Sequence, residues 1–162
     1  MTNVLVVVHS VTGHTRALAD GVIEGARSVE GVSCRLLAAA EVTNDDLLAA
    51  DAIIVGSPTY FGQMAADVKH MFDASNSIYG RLESKVGAAF TTVGAAGSGH
   101  ETTNLSIITA MLVSGMVVPG FASGPTPCFG AFSVGMPTER ELRSARHMGE
   151  RVATLAARLS SA

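Results

Sequence analysis

The residues best suited to chemistry follow the first apolar run of the chain. Val4–Val8 leads through His9 into Ser10-Val11-Thr12-Gly13-His14-Thr15, and a helical pattern begins at once. The unpaired backbone N–H groups of a helix start, together with the positive end of the helix dipole, bind anions. Three hydroxyl side chains add further donors to the same segment. We therefore predict that this first turn, residues 10–15, binds an anion.

The residue types of the first turn indicate which anion it suits. It contains no lysine and no carboxylate that would hold magnesium, whereas a nucleoside triphosphate is bound with both. Neutral donors suit a single terminal phosphate, such as that of flavin mononucleotide (FMN). The predicted contacts are Ser10, Val11, Thr12, Gly13, His14 and Thr15. The alternative is an ordinary helix cap supplied by Ser10 or Thr12.

A second turn, residues 56–63, suits a flat heteroaromatic ligand. Pro58 stiffens the approach, Gly62 permits close backbone passage, and two aromatic side chains offer stacking surface. The predicted ring contacts are Pro58, Thr59, Tyr60, Phe61 and Gly62. The alternative places Tyr60 and Phe61 in the core of a tight turn.

A third turn, residues 91–97, presents backbone amides with few side chains in the way. Such amides suit hydrogen bonding to the pyrimidine edge of a flavin. The predicted contacts are Thr92, Val93, Gly94, Ala95, Ala96 and Gly97. The glycines of this segment also resemble a dinucleotide fingerprint, but Thr102 stands where the last glycine belongs and the preceding strand is the wrong one.

The five histidines form no metal set and no catalytic triad. His14 is expected to act through its backbone, with a side-chain role as the alternative. His9 is expected to be a satisfied interior polar group, and His100 to mark a helix start. His70 and His147 are expected on the surface or in packing. We assign no catalytic side chain and leave the chemistry to the flavin.

Apolar runs alternate with helical patterns, which predicts an α/β protein with helices on both faces of a parallel sheet. Strands are predicted at Asn3–Val8, Val32–Leu37, Asp51–Gly56, Val86–Val93 and Met116–Val118. Helices are predicted at 13–28, 45–50, 64–74 and 102–114, with another after Thr138. The first, third and fourth strands are apolar throughout and therefore central, while the second is amphipathic and peripheral. This ranking predicts the doubly wound, flavodoxin-like order 2-1-3-4-5, with the ligand beyond the carboxyl ends of the strands.

Several local features refine this scheme. The Gly- and Pro-rich segment Pro119–Gly135 is predicted to be a long loop. Thr43 with Asp46, and Thr138 with Glu141, resemble helix caps. The last helix is predicted to bury Leu142, Ala145, Gly149, Val152, Ala156 and Leu159. Because no repeat or linker is found, residues 1–162 are expected to form a single domain.

Composition excludes several classes of partner. A net charge of −3 is too small to favour nucleic acid or an anionic membrane. No window approaches the roughly 20 apolar residues of a membrane span, and the first three residues do not resemble a secretory signal. Cys34 and Cys128 have no metal-ligand spacing, so we expect a reduced, cytoplasmic protein.

The three turns together resemble the flavodoxin superfamily and, within it, the Trp-repressor-binding-protein family of NAD(P)H:quinone oxidoreductases. The similarity is carried by Ser10–Thr15, Gly56–Gln63, Thr91–Glu101, Thr126–Gly135 and Glu141–Leu159. This resemblance implies non-covalently bound FMN, with its phosphate at residues 10–15. It implies a ring held by Thr59, Tyr60 and Phe61 and by residues 92–97, with NAD(P)H as donor and a quinone as acceptor.

The chain departs from that family on the substrate side. Thr12 replaces a tyrosine associated with nicotinamide binding, and Ser114 replaces a histidine associated with the substrate site. The segment Ser75–Arg81 is shorter and lacks the family's tryptophan. The insertion linked to the family's tetramer is cut down to about Ala38–Ala50. Flavin binding therefore carries over better than the quinone and nicotinamide sites, and we expect a homo-oligomer, either a dimer or a tetramer.

Three functions are compatible with these residues. The first is an FMN-dependent oxidoreductase that passes two electrons from NAD(P)H to a quinone or a related acceptor. The second is a one-electron carrier for a protein partner, against which the small net charge and the aromatic content of 5% argue. The third is a flavin-binding subunit with a regulatory or scaffolding role and no turnover.

Overall fold

The structure is a computed structural model that describes residues 1–121 and 123–160. The strands are β1 (Thr2–Val8), β2 (Val32–Ala38), β3 (Ala52–Pro58), β4 (Val86–Val93) and β5 (Phe132–Val134). The helices are α1 (His14–Arg27), α2 (Asn44–Ala49), α3 (Ala66–Ala74), α4 (His100–Val113) and α5 (Glu139–Ser160). Short 3-10 segments cover Ala39–Glu41 and Ser75–Ile78.

The strands form one sheet of order β2-β1-β3-β4-β5 in which every pair is parallel, as predicted. The register brings the carboxyl ends of three neighbouring strands together. Val8 at the end of β1 pairs with Gly56, and Pro58 at the end of β3 pairs with Thr92. The three turns of interest therefore leave the same edge of the sheet side by side.

Alternation along the strands divides the core into two layers. Val4 and Val6 of β1 pack in a cluster that includes side chains of α1 and α5. Leu5 and Val7 pack in a second cluster with side chains of α3 and α4. Because β1, β3 and β4 contribute to both clusters, these strands are central, while β2 is only half-buried at the edge. Both assignments agree with the sequence prediction.

The fifth strand lies elsewhere than predicted. Met116–Val118 contributes only one isolated bridge, between Val117 and Val86, whereas β5 is Phe132–Val134 and pairs with the carboxyl-terminal end of β4. The segment predicted as one loop over 119–135 therefore contains the edge strand. The chain leaves the sheet at Pro119, which lacks a backbone N–H, and rejoins it at Phe132. Such an edge strand carries no continuous apolar run to reveal it.

The predicted helix caps agree with the structure, whereas the predicted buried face of α5 agrees only in part. Thr43 and Asp46 form the predicted capping box of α2. The N–H of Thr138 donates to Glu141 Oε2 at 3.0 Å before α5. In α5, Ala145, Gly149, Val152 and Ala156 are buried as predicted. Leu159 is exposed because the helix extends beyond the core there, and Leu142 is half-buried.

Within the residues described, no helix combines the length and apolarity that spanning a membrane requires.

Candidate functional site

Direct contacts join the three turns into one site. The hydroxyls of Thr15 and Thr92 lie 2.8 Å apart and connect the first turn to the end of β4. The N–H of Thr59 donates to the carbonyl of Thr92 at 2.8 Å. Gly62 and Gly99 touch so closely that a Cβ on Gly99 would stand 2.9 Å from the Cα of Gly62. The sheet edge is thus a continuous surface built from distant parts of the chain.

The first turn leaves backbone N–H groups open at the start of α1. Gly13 precedes the helix with a φ of 88°, a conformation that favours glycine. The N–H of Arg16 donates to Ser10 Oγ at 3.2 Å and that of Ala17 to the carbonyl of Gly13 at 2.9 Å. Within residues 1–121 and 123–160, the N–H groups of residues 13–15 have no acceptor. These adjacent amides form a cradle for an anion.

The side chains of the first turn differ in what they leave for a ligand. Ser10 performs part of the capping role considered as the alternative, because its hydroxyl accepts the Arg16 N–H. Thr12 and Val11 are exposed, and His14 is half-buried. Thr15 is buried and its hydroxyl pairs with Thr92, so its N–H is the group that faces the cradle.

The second turn is a tight hairpin that presents an aromatic side chain to solvent. Tyr60 and Gln63 pair through two backbone hydrogen bonds of 3.1 and 3.0 Å. Both residues between them, Phe61 and Gly62, have positive φ (52° and 73°), as a two-residue type I′ turn requires. A bulky residue in this conformation is strained. Because Phe61 is fully exposed and Tyr60 is 43% exposed, the alternative that buried them in a core is wrong.

The third turn divides into a buried and an open part. Thr92 and Val93 still belong to β4 and are buried, whereas residues 94–97 are exposed. Nothing lies within 4 Å of a Cβ built on Gly94 or on Gly97. Pro58 likewise belongs to a strand rather than to its turn, as the last residue of β3. The part of the third turn that is open to a ligand is therefore residues 94–97.

The edge of the sheet at which the three turns lie carries no Lys, Arg, Asp or Glu within the turns themselves. Residues 9–15, 57–63 and 92–99 include no lysine, arginine, aspartate or glutamate. The one cation beside the first turn, Arg16, is paired with Asp20 one helical turn away at 3.2 Å. In the part of the chain that the structure describes, no cluster of His, Cys, Asp and Glu is arranged to hold a metal ion. An anion at this edge would therefore be held by dipoles and hydroxyls.

Clear pKa shifts belong to residues outside the three turns. Burial raises the pKa of the Cys34 thiol to about 11. Hydrogen bonds from Thr43 lower the pKa of the Asp46 carboxyl to about 2. Burial lowers the pKa of Lys85, whose ammonium donates to backbone carbonyls before β3. None of these groups is assigned a part in the site.

Two histidines have partners that the sequence did not reveal. His9 Nδ1 lies 3.0 Å from Asp67 Oδ2, and its ring meets that of Tyr60 edge to face. His100 is the first residue of α4, as its interpretation as a helix start predicted, and its ring stacks on Phe132 at 4.0 Å. The sequence indicated that His9 lies between a buried strand and the first turn. Nothing in the sequence indicated that Asp67 is its partner.

A groove of about 890 Å³ opens beside the second turn and runs between α3 and α4. Its walls include Gln63, Met64, Phe72, Tyr79, Leu105 and Val113. Tyr79, Leu105 and Val113 remain exposed there, so the groove is largely apolar. Ser114, which stands where the resembling family has a histidine, also lines it.

The open cradle and the neighbouring flat edge fit FMN. A terminal phosphate can be held by several hydrogen-bond donors without a metal ion. The amides of residues 13–15 supply such donors. The aromatic pair at 60–61 follows β3, which neighbours β1, and the exposed residues 94–97 follow β4, the next strand of the sheet. The residues present are therefore compatible with the phosphate and with the ring.

A doubly wound sheet of this order, with an anion cradle after its first strand, defines a protein of the flavodoxin superfamily. Residues 18–125 match the family of NADPH-dependent FMN reductases. The chain belongs to that family.

Individual relatives cover nearly the whole chain. A protein named NAD(P)H dehydrogenase (quinone), from Chromohalobacter salexigens, is 34% identical over 99% of this chain and 100% of its own length. That alignment runs over 201 positions, more than the 162 residues of this chain, in keeping with the segments that are shorter here. A protein named flavodoxin, from Aquifex aeolicus, is 36% identical over 94% of this chain and 86% of its own.

A solved structure supports the same fold. The flavodoxin, WrbA-like protein from Agrobacterium tumefaciens superposes with a TM-score of 0.84 at 28% identity, over 98% of this chain and 99% of its own. The predicted resemblance to the flavodoxin superfamily and to quinone oxidoreductases within it is thereby confirmed.

Proposed function

We propose that this protein is an FMN-dependent oxidoreductase that passes two electrons from NAD(P)H to a quinone or a related small acceptor. The observation that carries the proposal is the row of unpaired N–H groups at residues 13–15, beside two further turns on the same edge. Family membership and the quinone dehydrogenase relative support it.

The phosphate of FMN is assigned to the first turn. The N–H groups of Gly13, His14 and Thr15 would donate to it, and the exposed hydroxyl of Thr12 would add a donor. Ser10 would hold the turn in shape through Arg16. The positive end of the α1 dipole stabilises a dianion there without a neighbouring cation.

The ring is assigned to the second and third turns. Phe61 and Tyr60 supply exposed aromatic surface, and the N–H groups of residues 94–97, which have no side chain larger than methyl beside them, would donate to the pyrimidine edge. The bound flavin supplies hydride chemistry. The role of the protein is to bind the ring, orient it and exclude water from one face.

The phosphate assignment is tested by Gly13→Asp. The new carboxylate repels the phosphate, so we expect FMN affinity to fall at least a hundredfold. Gly31→Asp is a matched control, because Gly31 also has positive φ, 75°, with nothing within 4 Å of its Cβ position, and lies in the turn before β2. FMN titration by fluorescence quenching measures both. Equal affinity in the two variants would contradict the assignment.

A one-electron carrier is the second candidate, favoured by the Aquifex aeolicus relative named flavodoxin. A redox titration distinguishes the two functions. A single two-electron step, with rapid oxidation of NADH or NADPH by benzoquinone, supports the reductase. Two well-separated one-electron steps without such turnover support the carrier.

We further propose that the chain is a cytoplasmic single-domain protein that associates with copies of itself through α4. Both cysteines are unpaired, as in a reducing compartment.

The self-association is assigned to α4 because this helix carries few charges. Glu101 is its only acidic residue, it has no Lys or Arg, and Leu112 and Val113 are exposed on it. A helix that is apolar on its outer face is normally buried, and a second copy supplies an equally uncharged surface.

A further inference from the structure

The groove between α3 and α4 begins at the second turn. Gln63, which pairs with Tyr60 to close the hairpin, is one of its lining residues, and Thr102 of α4 is another. Thr102 Oγ1 stands 3.1 Å from the position that a Cβ on Gly62 would take, so α4 meets the hairpin there. One end of the groove therefore lies at the sheet edge to which the flavin ring is assigned.

From that edge the groove follows α4 down the sheet. Its lining residues recur along one side of the helix from Thr102 through Leu105 and Thr109 to Val113. At a rise of 1.5 Å per residue, Thr102 and Val113 are about 16 Å apart along the helix axis. A volume of about 890 Å³ is at the upper end of the roughly 300–1,000 Å³ of small-molecule sites. The groove is thus long enough for an extended chain and much larger than one small ring.

The polar side chains that α4 contributes to the groove already have partners. The hydroxyls of Ser106, Thr109 and Ser114 donate to backbone carbonyls three or four residues earlier, at 2.7, 2.7 and 2.9 Å. The charged residues of the groove wall, Lys69 and Asp73, pair with each other at 2.6 Å. Because these donors and charges are satisfied within the protein, the groove favours an apolar ligand.

Apolar side chains supply the surface that such a ligand would contact. Tyr79 is 70% exposed, Leu105 is 37% exposed and Val113 is 64% exposed, and all three line the groove. Phe72 and Met64 line it as well and are half-buried. A continuous exposed apolar surface of this kind is typical of a ligand-binding groove.

We propose that the acceptor is a quinone with an alkyl or prenyl chain, and that the groove between α3 and α4 binds this chain. The inference rests on the proposed reductase function, which brings the acceptor ring to the edge where the groove begins. NAD(P)H gives up a hydride, and the quinone gains that electron pair and two protons, one carried by the hydride and one from solvent. The chain of the quinone takes no part in this chemistry, so the groove acts on binding and on the choice of acceptor.

A second copy of the protein is the competing occupant of this surface. The self-association proposed above uses Leu112 and Val113 at the carboxyl-terminal end of α4. Leu112 does not line the groove, and Val113 lines only its far end. Leu105 lies nearer to the second turn, so substitutions at Leu105 and Leu112 distinguish the two occupants.

The test measures kcat/KM for p-benzoquinones that carry a methyl, butyl, hexyl or decyl chain. A methylene that is buried completely contributes about fourfold in affinity. Because one side of the groove is open, we expect kcat/KM to rise about twofold per methylene until the groove is full. Ala110→Phe inserts a ring partway along the groove, so the rise should stop at a shorter chain than in wild type.

Two leucines of α4 supply a matched pair of variants. Leu105→Gln should lower the ratio of kcat/KM for the decyl and methyl quinones about fivefold, because it removes apolar surface from the groove. Leu112→Gln changes an exposed leucine outside the groove and should keep the wild-type ratio. Calorimetry with FMN-loaded protein in the absence of NAD(P)H measures binding of the decyl quinone without turnover. The dissociation constants should follow the same order.

Equal kcat/KM along the chain series in wild type would overturn the inference, as would a limiting chain length that Ala110→Phe leaves unchanged. Loss of the chain preference in Leu112→Gln but not in Leu105→Gln would also overturn it and would assign the surface to a second copy. If Leu105→Gln does not fold, wild type and Ala110→Phe decide. These results leave the reductase standing, because the methyl quinone is still reduced. Absence of turnover with every quinone would overturn the proposed function itself.

Discussion

The hydroxyls of Thr15 and Thr92 form a buried pair, 2.8 Å apart, between residues 77 positions apart in the chain. One stands in the first turn of α1 and the other near the end of β4. The pair therefore fixes the distance between the anion cradle and the third turn. We therefore expect substitutions at this pair to affect both the stability of the fold and the binding of the cofactor.

Replacing one member of this pair should cost more than replacing both. Thr15→Val or Thr92→Val leaves a buried hydroxyl without a partner, so we expect the free energy of unfolding to fall by about 1–3 kcal/mol. The double variant leaves neither hydroxyl unpaired, so it should lose less than either single variant. Urea unfolding of the apoprotein measures the cycle, and additive losses would show that the pair contributes no coupling.

Phe61→Gly should separate stability from cofactor binding. Relief of the left-handed strain at φ 52° is expected to raise the free energy of unfolding by about 1 kcal/mol. Loss of the aromatic surface is expected to weaken FMN binding about fivefold, in line with an aromatic contact of about 1 kcal/mol. Thermal unfolding and FMN titration measure the two effects.

Ser84→Gly is the control for that experiment. Ser84 is exposed, has a φ of 68° and lies before β4, at the opposite edge of the sheet. It should gain similar stability without any change in FMN affinity. A loss of FMN affinity in both variants would mean that the ring does not contact Phe61 specifically.

The cap of α2 should be sensitive to acid. Hydrogen bonds from Thr43, assisted by Arg35, lower the pKa of Asp46 to about 2 from 3.8. Because the folded pKa is the lower one, the stabilisation is complete above pH 4 and is lost as pH falls toward 2. Urea unfolding from pH 7 to pH 2 should show wild type losing stability relative to Asp46→Asn in that window. A difference that stays constant with pH would contradict this account.

The outer face of α4 should govern self-association. Val113→Glu places a charge on its exposed apolar surface, so we expect the oligomer to dissociate. Leu159→Glu changes an exposed leucine on α5 and should leave the molar mass unchanged. Light scattering after size exclusion measures both variants. A wild-type monomer, or an oligomer that persists in Val113→Glu, would exclude this interface.

Much of the fold was predictable because its signals are local. The apolar runs of β1, β3 and β4 need burial on both faces, and the prediction for β4 matches Val86–Val93 residue for residue. The first turn was identifiable because a strand, a hydroxyl-rich turn with Gly13 and a helical pattern are contiguous. The polar face of β2 likewise placed it at the edge.

What remained hidden depends on contacts between distant segments. β5 is only three residues long and exists because the chain returns to pair with β4. Whether Phe61 was a core or a surface residue depended on how the hairpin sits on the sheet, and the structure exposes it.

The sequence by itself determined the order of the elements, the ranking of the central strands and the chemical character of the three turns, because hydrophobic period and residue type are properties of short segments. Only the tertiary structure decided that Thr15 meets Thr92 and that His9 meets Asp67. Those contacts are set by the register of a parallel sheet, in which hydrogen bonding between strands brings together residues that no local pattern relates.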